Sequence, residues 1–384
     1  MSLLFLCLTH LLIMKLLLVV GTRPNLVKAS ALWRAFRAEP TINTVLVHTG
    51  QHYDDSLSGQ FFLPLDLPAP NYALNVPPGT STQQTATILA RLQPVLLTEQ
   101  PHWVVVIGDV TSTLSAALAA HQLRIRVAHV EAGLRSGDHT MPEEINRILT
   151  DHLADLLFVT EQSGVDNLLR EGVSPEKIRF VGNVLIDALM HCGPKANALN
   201  TVGLLGLGPK QYALMTMHRP ANVDTEAGLR AVLQIAEITA RQLTVVLPLH
   251  PRTRAGLVRF GLLDTLAQRP NVRLLEPLGY FEFLNLLEHA AVVLTDSGGV
   301  QEETTFLNVP CLTLRTTTER PVTITHGTNQ LIPLLDPALV QEKIAAILTG
   351  HPQPGITPPL WDGQAAERIR DVLLNLDGTN MTSG

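Results

Sequence analysis

Short hydrophobic runs alternate with longer, helix-like segments along most of the chain. Six of the runs read as strands, namely KLLLVV, WVVVIG, VAHV, ALMTM, TVVLPL and AVVLT. Segments such as PNLVKASALWRAF and TSTLSAALAAHQL lie between them and read as helices. Almost wholly apolar strands that alternate with helices indicate β–α–β units, in which helices cover both faces of a parallel sheet. The pattern therefore predicts an α/β fold.

The residues that follow the six strands carry the candidate chemistry. They are Arg23, Asp109, Glu131, His218, His250 and the neighbours Asp296 and Ser297. Ligands of open parallel sheets bind at the carboxyl ends of the strands. We therefore expect these polar residues to converge on one crevice, which favours an enzyme or a ligand-binding protein over a structural one.

The alternation is interrupted once, which predicts two domains. A stretch with several glycines and a proline and without a clean period separates the two alternating regions. At 384 residues the chain also exceeds the usual size of a single core. We assign residues 14–190 to an N-terminal domain, 191–210 to a linker and 211–360 to a C-terminal domain. Residues 361–384 are predicted to form a helix and tail that pack back toward the N-terminal domain.

Composition favours a small ligand over a polymer. The chain is 46% hydrophobic, its net charge is −6, and it contains no block of lysine and arginine, so no nucleic-acid partner is predicted. Cys7, Cys192 and Cys311 lack metal-ligand spacing and indicate no disulfide framework, so a reducing compartment is expected.

The first twenty residues are apolar enough to be mistaken for a signal peptide or membrane anchor. They lack a basic start and a cleavage site, and His10 and Lys15 interrupt them. We interpret residues 15–20 as the first buried strand and residues 1–13 as an extension before it. No membrane insertion is predicted.

A glycine pair follows the strand AVVLT, in the segment TDSGGVQEETTFL. The free N–H groups and the dipole of a helix N-terminus favour a phosphate, and glycines let the backbone approach it closely. Ser297, Gly298 and Gly299 are therefore candidate phosphate contacts. Glu302 and Glu303 suit the helix dipole, and one of them could instead hold ribose hydroxyls.

Three carboxylates are candidates for acid–base chemistry. Asp109 and Glu131 each follow an apolar strand, where a carboxylate is costly unless it is paired or used. Glu143 begins an amphipathic helix over residues 141–158, with Arg147 four residues later, which is also ordinary ion-pair spacing. Crowded carboxylates raise each other's pKa and can serve as acid or base near neutral pH.

Histidines at strand ends allow two interpretations. His218 and Arg219 end a strand of the second half and could face the carboxylates, where a histidine could pair with a diphosphate or move protons. His48 and His52 remain ambiguous.

The chain has no HExxH, GxGxxG or Walker A motif, so a dedicated metal site, an NAD site and an NTP-hydrolase site lack support.

Nine motifs in a fixed order identify a family. They are GTRP, TGQHYDDSLSGQFF, GDVTST, HVEAGLRSGDHTMPEEINR, VGNVLID, HRPANVD, HPRT, TDSGGVQEE and TERP. Over about residues 15–332 the chain closely resembles the non-hydrolysing UDP-N-acetylglucosamine 2-epimerases. The resemblance implies a GT-B architecture, with two Rossmann-like domains whose parallel sheets face an interdomain cleft. It also implies a homodimer and a cytoplasmic role in supplying N-acetylmannosamine for surface polysaccharides.

The reaction implied by the resemblance is elimination of UDP followed by its re-addition, without a metal or a redox cofactor. The implied catalytic residues are Asp109, Glu131, Glu143, Arg147 and His218. The implied contacts to UDP and the rest of the substrate are Arg23, Lys28, His250, Ser297, Gly298, Gly299, Glu303, Glu319 and Arg320. Which carboxylate removes the proton and which returns it stays open.

The chain also departs from the family pattern. Val322 stands where many members carry glutamate, and Ala221 stands where an acid is common. The segments around Asp54 and Gly79 differ from those of members that bind a second UDP-sugar as activator, so no obligatory activator is predicted. Open alternatives are the same mechanism on another UDP-2-acetamido sugar, such as a 2,3-diacetamido uronic acid, a GT-B glycosyltransferase, a non-catalytic sensor and a hydrolysing epimerase.

Overall fold

The computed structural model describes residues 13–50, 62 and 64–380 of the chain. Two parallel sheets lie in these residues, one in each half. The strands of the N-terminal half are β1 (Met14–Val20), β2 (Ile42–His48), β3 (Tyr72–Ala73), β4 (Trp103–Ile107), β5 (Arg126–Ala132), β6 (Leu156–Val159) and β7 (Ile178–Phe180). Those of the C-terminal half are β8 (Tyr212–Thr216), β9 (Thr244–Pro248), β10 (Val272–Leu275), β11 (Val292–Thr295), β12 (Cys311–Thr313) and β13 (Asn329–Leu331).

Helices connect the strands in both halves. The first six are α1 (Arg23–Arg37), α2 (Ser81–Glu99), α3 (Thr111–Gln122), α4 (Pro142–Leu153), α5 (Gln162–Arg170) and α6 (Val184–Leu199). They are followed by α7 (Thr201–Leu204), α8 (Pro220–Val223), α9 (Glu226–Ala240), α10 (Pro251–Arg259), α11 (Leu263–Ala267), α12 (Tyr280–His289), α13 (Gly298–Phe306), α14 (Val322–Thr325), α15 (Pro337–Leu348) and α16 (Ala365–Asn380). Short 3₁₀ turns span Pro175–Lys177 and Pro333–Leu335.

The two sheets repeat one strand order. The N-terminal order is β3-β2-β1-β4-β5-β6-β7 and the C-terminal order is β10-β9-β8-β11-β12-β13, with parallel pairing throughout. Each order reverses once, between β1 and β4 in the first sheet and between β8 and β11 in the second, and such switch points are where doubly wound sheets bind ligands. The prediction of an α/β fold with two Rossmann-like domains in a GT-B arrangement is confirmed.

Both faces of each sheet are buried, because helices cover both. In β1, Leu16 and Leu18 join a core with α1, α6 and α16, whereas Leu17 and Val19 join a separate core with α2, α3 and α5. Alternate residues of a strand point to opposite faces, so one apolar strand serves two cores. The same arrangement holds in the C-terminal half, where α9 and α15 lie on one face and α12 and α13 on the other.

Helix α4 reverses the usual orientation of an amphipathic helix. Its polar side chains Glu144, Arg147, Thr150 and Asp151 are buried. Its apolar side chains Ile145 and Leu149 are 39% and 46% exposed. The helix also ends earlier than the predicted range 141–158, because Ala154 is extended and the chain enters β6.

Two segments cross between the halves. The first is α6, which continues through Pro194 into the predicted linker and packs against α12 and α13. The second returns from α15 to α16, and the Trp361 indole donates a hydrogen bond to the Thr160 carbonyl at 3.0 Å. Trp361 also packs with Ile186 of α6 and with Val322, so the two crossings touch in one small apolar cluster.

Some predicted features cannot be placed. The proposed N-terminal extension apart from Ile13, together with Cys7, His52 and Asp54, lies outside the described residues. Cys192 and Cys311 are buried free thiols. Within the described part of the chain, no helix combines the length and hydrophobicity needed to cross a membrane.

Candidate active site between the two sheets

Glu131 occupies a strained position at the end of β5. Its φ is +74°, in the left-handed region that residues other than glycine rarely adopt. The pairing register between β5 and β6 also shifts between Val130 and Ala132, as in a β-bulge. Bulges re-aim side chains, and strained backbone is concentrated at functional sites. Here the irregularity turns the Glu131 carboxylate toward the second half of the chain.

Glu131 joins the two halves through ion pairs. Lys28 of α1 donates to its Oε2, and Arg320 of the C-terminal half donates to its Oε1 at 2.7 Å. Burial opposes the charge of Glu131, but Lys28 and Arg320 outweigh it and hold its pKa below the usual value. The expectation that neighbouring carboxylates raise one another's pKa is therefore wrong for Glu131, because cations separate it from the other acids.

Arg320 bridges three carboxylates. Besides Glu131 it contacts Glu319 Oε1 at 2.6 Å through Nη1, and its Nε lies 2.9 Å from Glu302 Oε2. Glu302 in turn accepts a hydrogen bond from Asn183 at 2.8 Å. Arg320 is buried, and although burial disfavours its charge, these acids hold its pKa above the ordinary arginine value. The guanidinium is therefore fixed in place.

Glu319 is surrounded by arginines. Arg315 donates to its Oε2 at 2.8 Å, and Nη2 atoms of Arg219 and Arg147 lie 3.7 Å and 3.9 Å from its Oε1. Burial opposes ionisation, but the charges of Arg320, Arg315 and Arg147 lower the pKa of Glu319 strongly. Arg219 and Arg315 share Glu319 with Arg147 and Arg320, so their positive charge is only partly neutralised by it and suits an anionic ligand.

Asp109 is held by Arg147. Arg147 donates from Nη2 to Asp109 Oδ2 at 2.5 Å and from Nη1 to Glu144 Oε2 at 2.6 Å. The carbonyl oxygen of Asp109 accepts a further hydrogen bond from Asn146 at 2.8 Å. Helix α4 thus fixes both the backbone and the side chain of Asp109.

The two glutamates at the start of α4 differ in environment. Glu144 is buried and accepts hydrogen bonds from the backbone N–H groups of Ser136 and Gly137 at 2.9 Å each, which secures the preceding loop. Glu143 is half-buried, and its charge acts on Arg219 across the cleft. Glu143 is therefore the member of the pair that remains available to a ligand.

A histidine–aspartate pair forms the opposite side of the site. His218 Nδ1 lies 3.0 Å from Asp296 Oδ1. Asp296 is fully buried and also accepts hydrogen bonds from the Arg219 N–H at 2.9 Å and from Asn222 at 3.0 Å. Burial opposes its charge, but His218 and the hydrogen bonds keep the pKa of Asp296 below the usual value. The ring of His250 lies 5.3 Å from that of His218, so both strand-end histidines lie in this part of the site.

The N-terminus of α13 lies beside these groups. Ser297 occupies the N-cap position without a capping hydrogen bond from its side chain. Gly298 lies so close to Arg320 that an added Cβ would be 2.6 Å from its Nη1. Gly299 is less confined, since an added Cβ would meet only Leu185, at 3.7 Å. A glycine at position 298 is what lets the helix N-terminus and the arginine approach each other.

Glu303 and Arg23 lie at the boundary between the halves. The Glu303 carboxylate accepts a hydrogen bond from Tyr280 at 3.0 Å, and burial raises its pKa to about 7. Arg23 Nη2 donates to the Leu278 carbonyl at 2.6 Å, and burial lowers its pKa. Both side chains are thus engaged with protein groups next to the cleft.

Two residues of this arrangement, Glu144 and Arg315, were not singled out from the sequence. Asp296 and Arg219 were expected at strand ends near the site, and Glu302 was weighed as a ribose contact, but none of the three was given a specific role. Glu144 and Glu302 adjoin assigned glutamates, and the sequence does not show which of two neighbours a helix turns inward.

Within residues 13–50, 62 and 64–380, no group of three histidine, cysteine, aspartate or glutamate side chains is arranged to hold a metal ion.

The fold and the site define a class of nucleotide-sugar enzymes, with acids on one Rossmann-like half and a helix N-terminus that begins with two glycines on the other. A sequence profile of the UDP-N-acetylglucosamine 2-epimerases matches residues 34–374. The chain belongs to this family of isomerases, as its motifs predicted.

Individual relatives that match along most of this chain support the assignment to the family. The UDP-N-acetylglucosamine 2-epimerase of Methanocaldococcus jannaschii is 41% identical over 367 residues, which cover 94% of this chain and 99% of the relative. The UDP-2,3-diacetamido-2,3-dideoxy-D-glucuronate 2-epimerase of Pseudomonas aeruginosa is 39% identical over 367 residues, covering 94% and 100%. The crystal structure of the M. jannaschii epimerase in complex with UDP-GlcNAc and UDP matches with a TM-score of 0.87 at 40% identity, covering 94% of this chain and 100% of that one.

Proposed function

We propose that the protein interconverts UDP-N-acetylglucosamine and UDP-N-acetylmannosamine by eliminating UDP and adding it back. The observation that carries the proposal is the placement of Asp109, Glu131 and Glu143 on one side of the cleft and of His218 and the α13 N-terminus on the other. Proton transfer at the sugar needs carboxylates, and departure of a diphosphate needs stabilisation of its negative charge. The arrangement offers both within one cleft.

The proposed reaction has two balanced halves. A carboxylate removes the proton from C2 while the C1–O bond breaks, so that UDP leaves with the bonding electron pair and a C1=C2 double bond forms. A proton then adds to the opposite face of C2, and a diphosphate oxygen bonds C1 again. The carboxylate that took the proton and the group that gave one return to their starting protonation states by exchange with water, so the epimer forms with no net oxidation or reduction.

The residues suit distinct parts of this reaction. The cations on Glu131 keep that carboxylate ionised, and Arg147 holds Asp109 beside Glu319 and the arginines around it. The His218 ring, backed by the buried Asp296, and the N–H groups of α13 suit the charge that develops on UDP. We leave the assignment of base and acid among the three carboxylates open.

A second substrate has support of its own. The P. aeruginosa relative is named for a diacetamido glucuronate and is nearly as similar to this chain as the M. jannaschii relative. A uronate carries an additional carboxylate on the sugar. The arginines that share Glu319 offer positive charge for such a group.

Proton NMR in D₂O with UDP-N-acetylglucosamine tests the proposal. We expect a new manno anomeric signal together with deuterium at C2, and loss of both in Asp109→Asn. Asp138→Asn, which changes an exposed loop carboxylate of the same half, is the matched control and should stay active. A glycosyltransferase would leave the C2 proton in place. Activity confined to the diacetamido uronate would select the second substrate, and exchange with neither sugar would refute the proposal.

We also propose that the protein forms a homodimer without an obligatory activator. Leu97 of α2 is 57% exposed, and the exposed Ile145 and Leu149 of α4 lie on the same sheet face, on the other side of α3. Apolar surface of this kind marks protein contacts, and self-complementary pairing is the commonest assembly. Light scattering should show a dimer that Leu149→Asp converts to a monomer.

Substrate kinetics should be hyperbolic, because no obligatory activator is proposed. Sigmoidal kinetics would refute the absence of an activator.

A further inference from the structure

A buried histidine–aspartate pair lies behind the site, apart from the groups assigned above. His129 is on β5, two residues before Glu131, and Asp151 is on α4, four residues after Arg147. His129 is 0% and Asp151 is 1% exposed. The ring Nδ1 lies 2.7 Å from Asp151 Oδ1, and Nε2 lies 2.8 Å from the Gly108 carbonyl oxygen.

The acceptors around the ring determine where its hydrogens lie. A carbonyl oxygen can only accept, so Nε2 of His129 must donate to Gly108. Asp151 Oδ2 accepts from the Gly133 N–H at 3.1 Å and lies 2.7 Å from Arg135 Nη1. The Gly133 N–H and the Arg135 guanidinium, both held against Oδ2, favour the ionised form of the Asp151 carboxyl. An ionised Oδ1 at 2.7 Å then requires a hydrogen on Nδ1 as well.

The hydrogen bonds of the pair end next to two of the proposed acid–base residues. Gly108 directly precedes Asp109, and Gly133 follows Glu131 by two residues. Both glycines have positive φ, +68° and +81°, so their backbone could adopt other conformations if it were released. The pair therefore ties the ends of β4 and β5 to helix α4.

On the basis of the proposed epimerase function, we propose that His129 and Asp151 are positioning residues, with hydrogen on both ring nitrogens of His129. They fix the Gly108 carbonyl and the Gly133 turn relative to α4, which also carries Arg147. The pair is fully enclosed by protein and acts on the reaction only through the placement of Asp109 and Glu131. A buried polar group of this kind must be fully hydrogen-bonded, and it then specifies one geometry.

The hydrogen positions can be measured on the unaltered full-length protein. Nitrogen NMR of the chain labelled at the histidine rings should show, near neutral pH, one histidine with hydrogen on both nitrogens and ring protons protected from exchange. Its signal should disappear in His129→Asn. A buried histidine with one bare nitrogen would overturn the proposal. This result does not depend on which sugar the protein converts.

The effect on catalysis is tested by Asp151→Asn against Asp155→Asn. Asp155 also accepts a hydrogen bond from a β5 N–H, that of Val127 at 2.9 Å, but it is exposed and lies at the other end of the strand. We expect Asp151→Asn to lower kcat about 10²-fold, the cost typical of small misplacement of reacting groups, with KM changed less than about threefold. Asp155→Asn should keep wild-type rates.

Other outcomes decide the proposal in the same experiment. Wild-type kcat in Asp151→Asn would overturn it, as would equal losses of kcat and of UDP affinity, which would indicate general damage. If the wild-type protein failed to exchange the C2 proton at all, the proposed function would fall. The hydrogen assignment at His129 would still be decided by the NMR spectrum, including when a variant does not fold.

Discussion

Replacing Gly298 with alanine tests whether Arg320 is held where the structure places it. The new Cβ would lie 2.6 Å from Arg320 Nη1 and 2.8 Å from Glu319 Oε1, so something has to move. The end of an exposed arginine would yield at little cost. Arg320 is buried and bridges Glu131, Glu302 and Glu319, so its movement lengthens ion pairs in the protein interior.

The magnitude follows from two opposing effects. Overpacking a close-packed site costs about 1–3 kcal/mol, whereas alanine in place of a helical glycine gains about 0.5–1 kcal/mol. We therefore expect Gly298→Ala to lower the free energy of unfolding by about 1–2 kcal/mol. Complete loss of a buried ion pair, at about 3–5 kcal/mol, sets the upper limit.

Gly299→Ala is the matched control. It makes the same chemical change one residue later in α13, where the added Cβ meets only Leu185 at an ordinary 3.7 Å. This variant should be as stable as the wild type or more stable by up to about 1 kcal/mol. Urea unfolding followed by circular dichroism should place the Gly298→Ala midpoint below that of the wild type and the Gly299→Ala midpoint at or above it. Equal midpoints would show that Arg320 adjusts freely and is not held in place by its ion pairs.

Substitutions at three other positions test single interactions. Lys28→Met removes a cation from Glu131, so the pKa of Glu131 should rise. The limb of the pH–rate profile that reports ionisation of Glu131 should therefore move to higher pH. An unchanged limb would contradict the effect of Lys28 on Glu131. Burial raises the pKa of Glu303 to about 7. The contribution of Glu303 to the free energy of unfolding is therefore full below its ordinary pKa of 4.5, and it is lost as the pH rises to about 7. Urea midpoints of Glu303→Gln should therefore depend less on pH across this window, and a wild-type slope would count against the assignment. Trp361→Ala should lower the free energy of unfolding by about 3–5 kcal/mol. Trp361→Phe should lose chiefly the hydrogen bond to Thr160, about 1–2 kcal/mol. Equal losses in the two variants would show that packing of the ring does not stabilise the protein.

The positions of strand ends were predictable, because β–α–β periodicity determines which residue follows each strand. Asp109, His218 and Asp296 lie at the switch points for this reason. The choice between Glu143 and Glu144 was not predictable in this way. Consecutive helix residues point about 100° apart, and α4 buries its polar side, contrary to the usual rule for amphipathic helices.

Contacts between the halves were beyond sequence reasoning. Glu131 and Arg320 are 189 residues apart, and their pairing depends on how two separately formed sheets dock. The segment around Pro194 lacked a helical period because α6 contacts both halves, so it has no single polar side. Its glycine and proline favoured a loop, whereas packing from both halves stabilises a helix there.

The two crossings that meet at Ile186, Val322 and Trp361 limit how one half can move against the other. A single tether would let the halves turn in any direction, whereas two adjoining crossings favour rotation about an axis through this cluster. Val322 is only two residues from Arg320, so the ion pair between Arg320 and Glu131 lies close to that axis. Groups near an axis of rotation are displaced least, so any such rotation would move this pair less than the parts of the cleft that lie farther from the cluster.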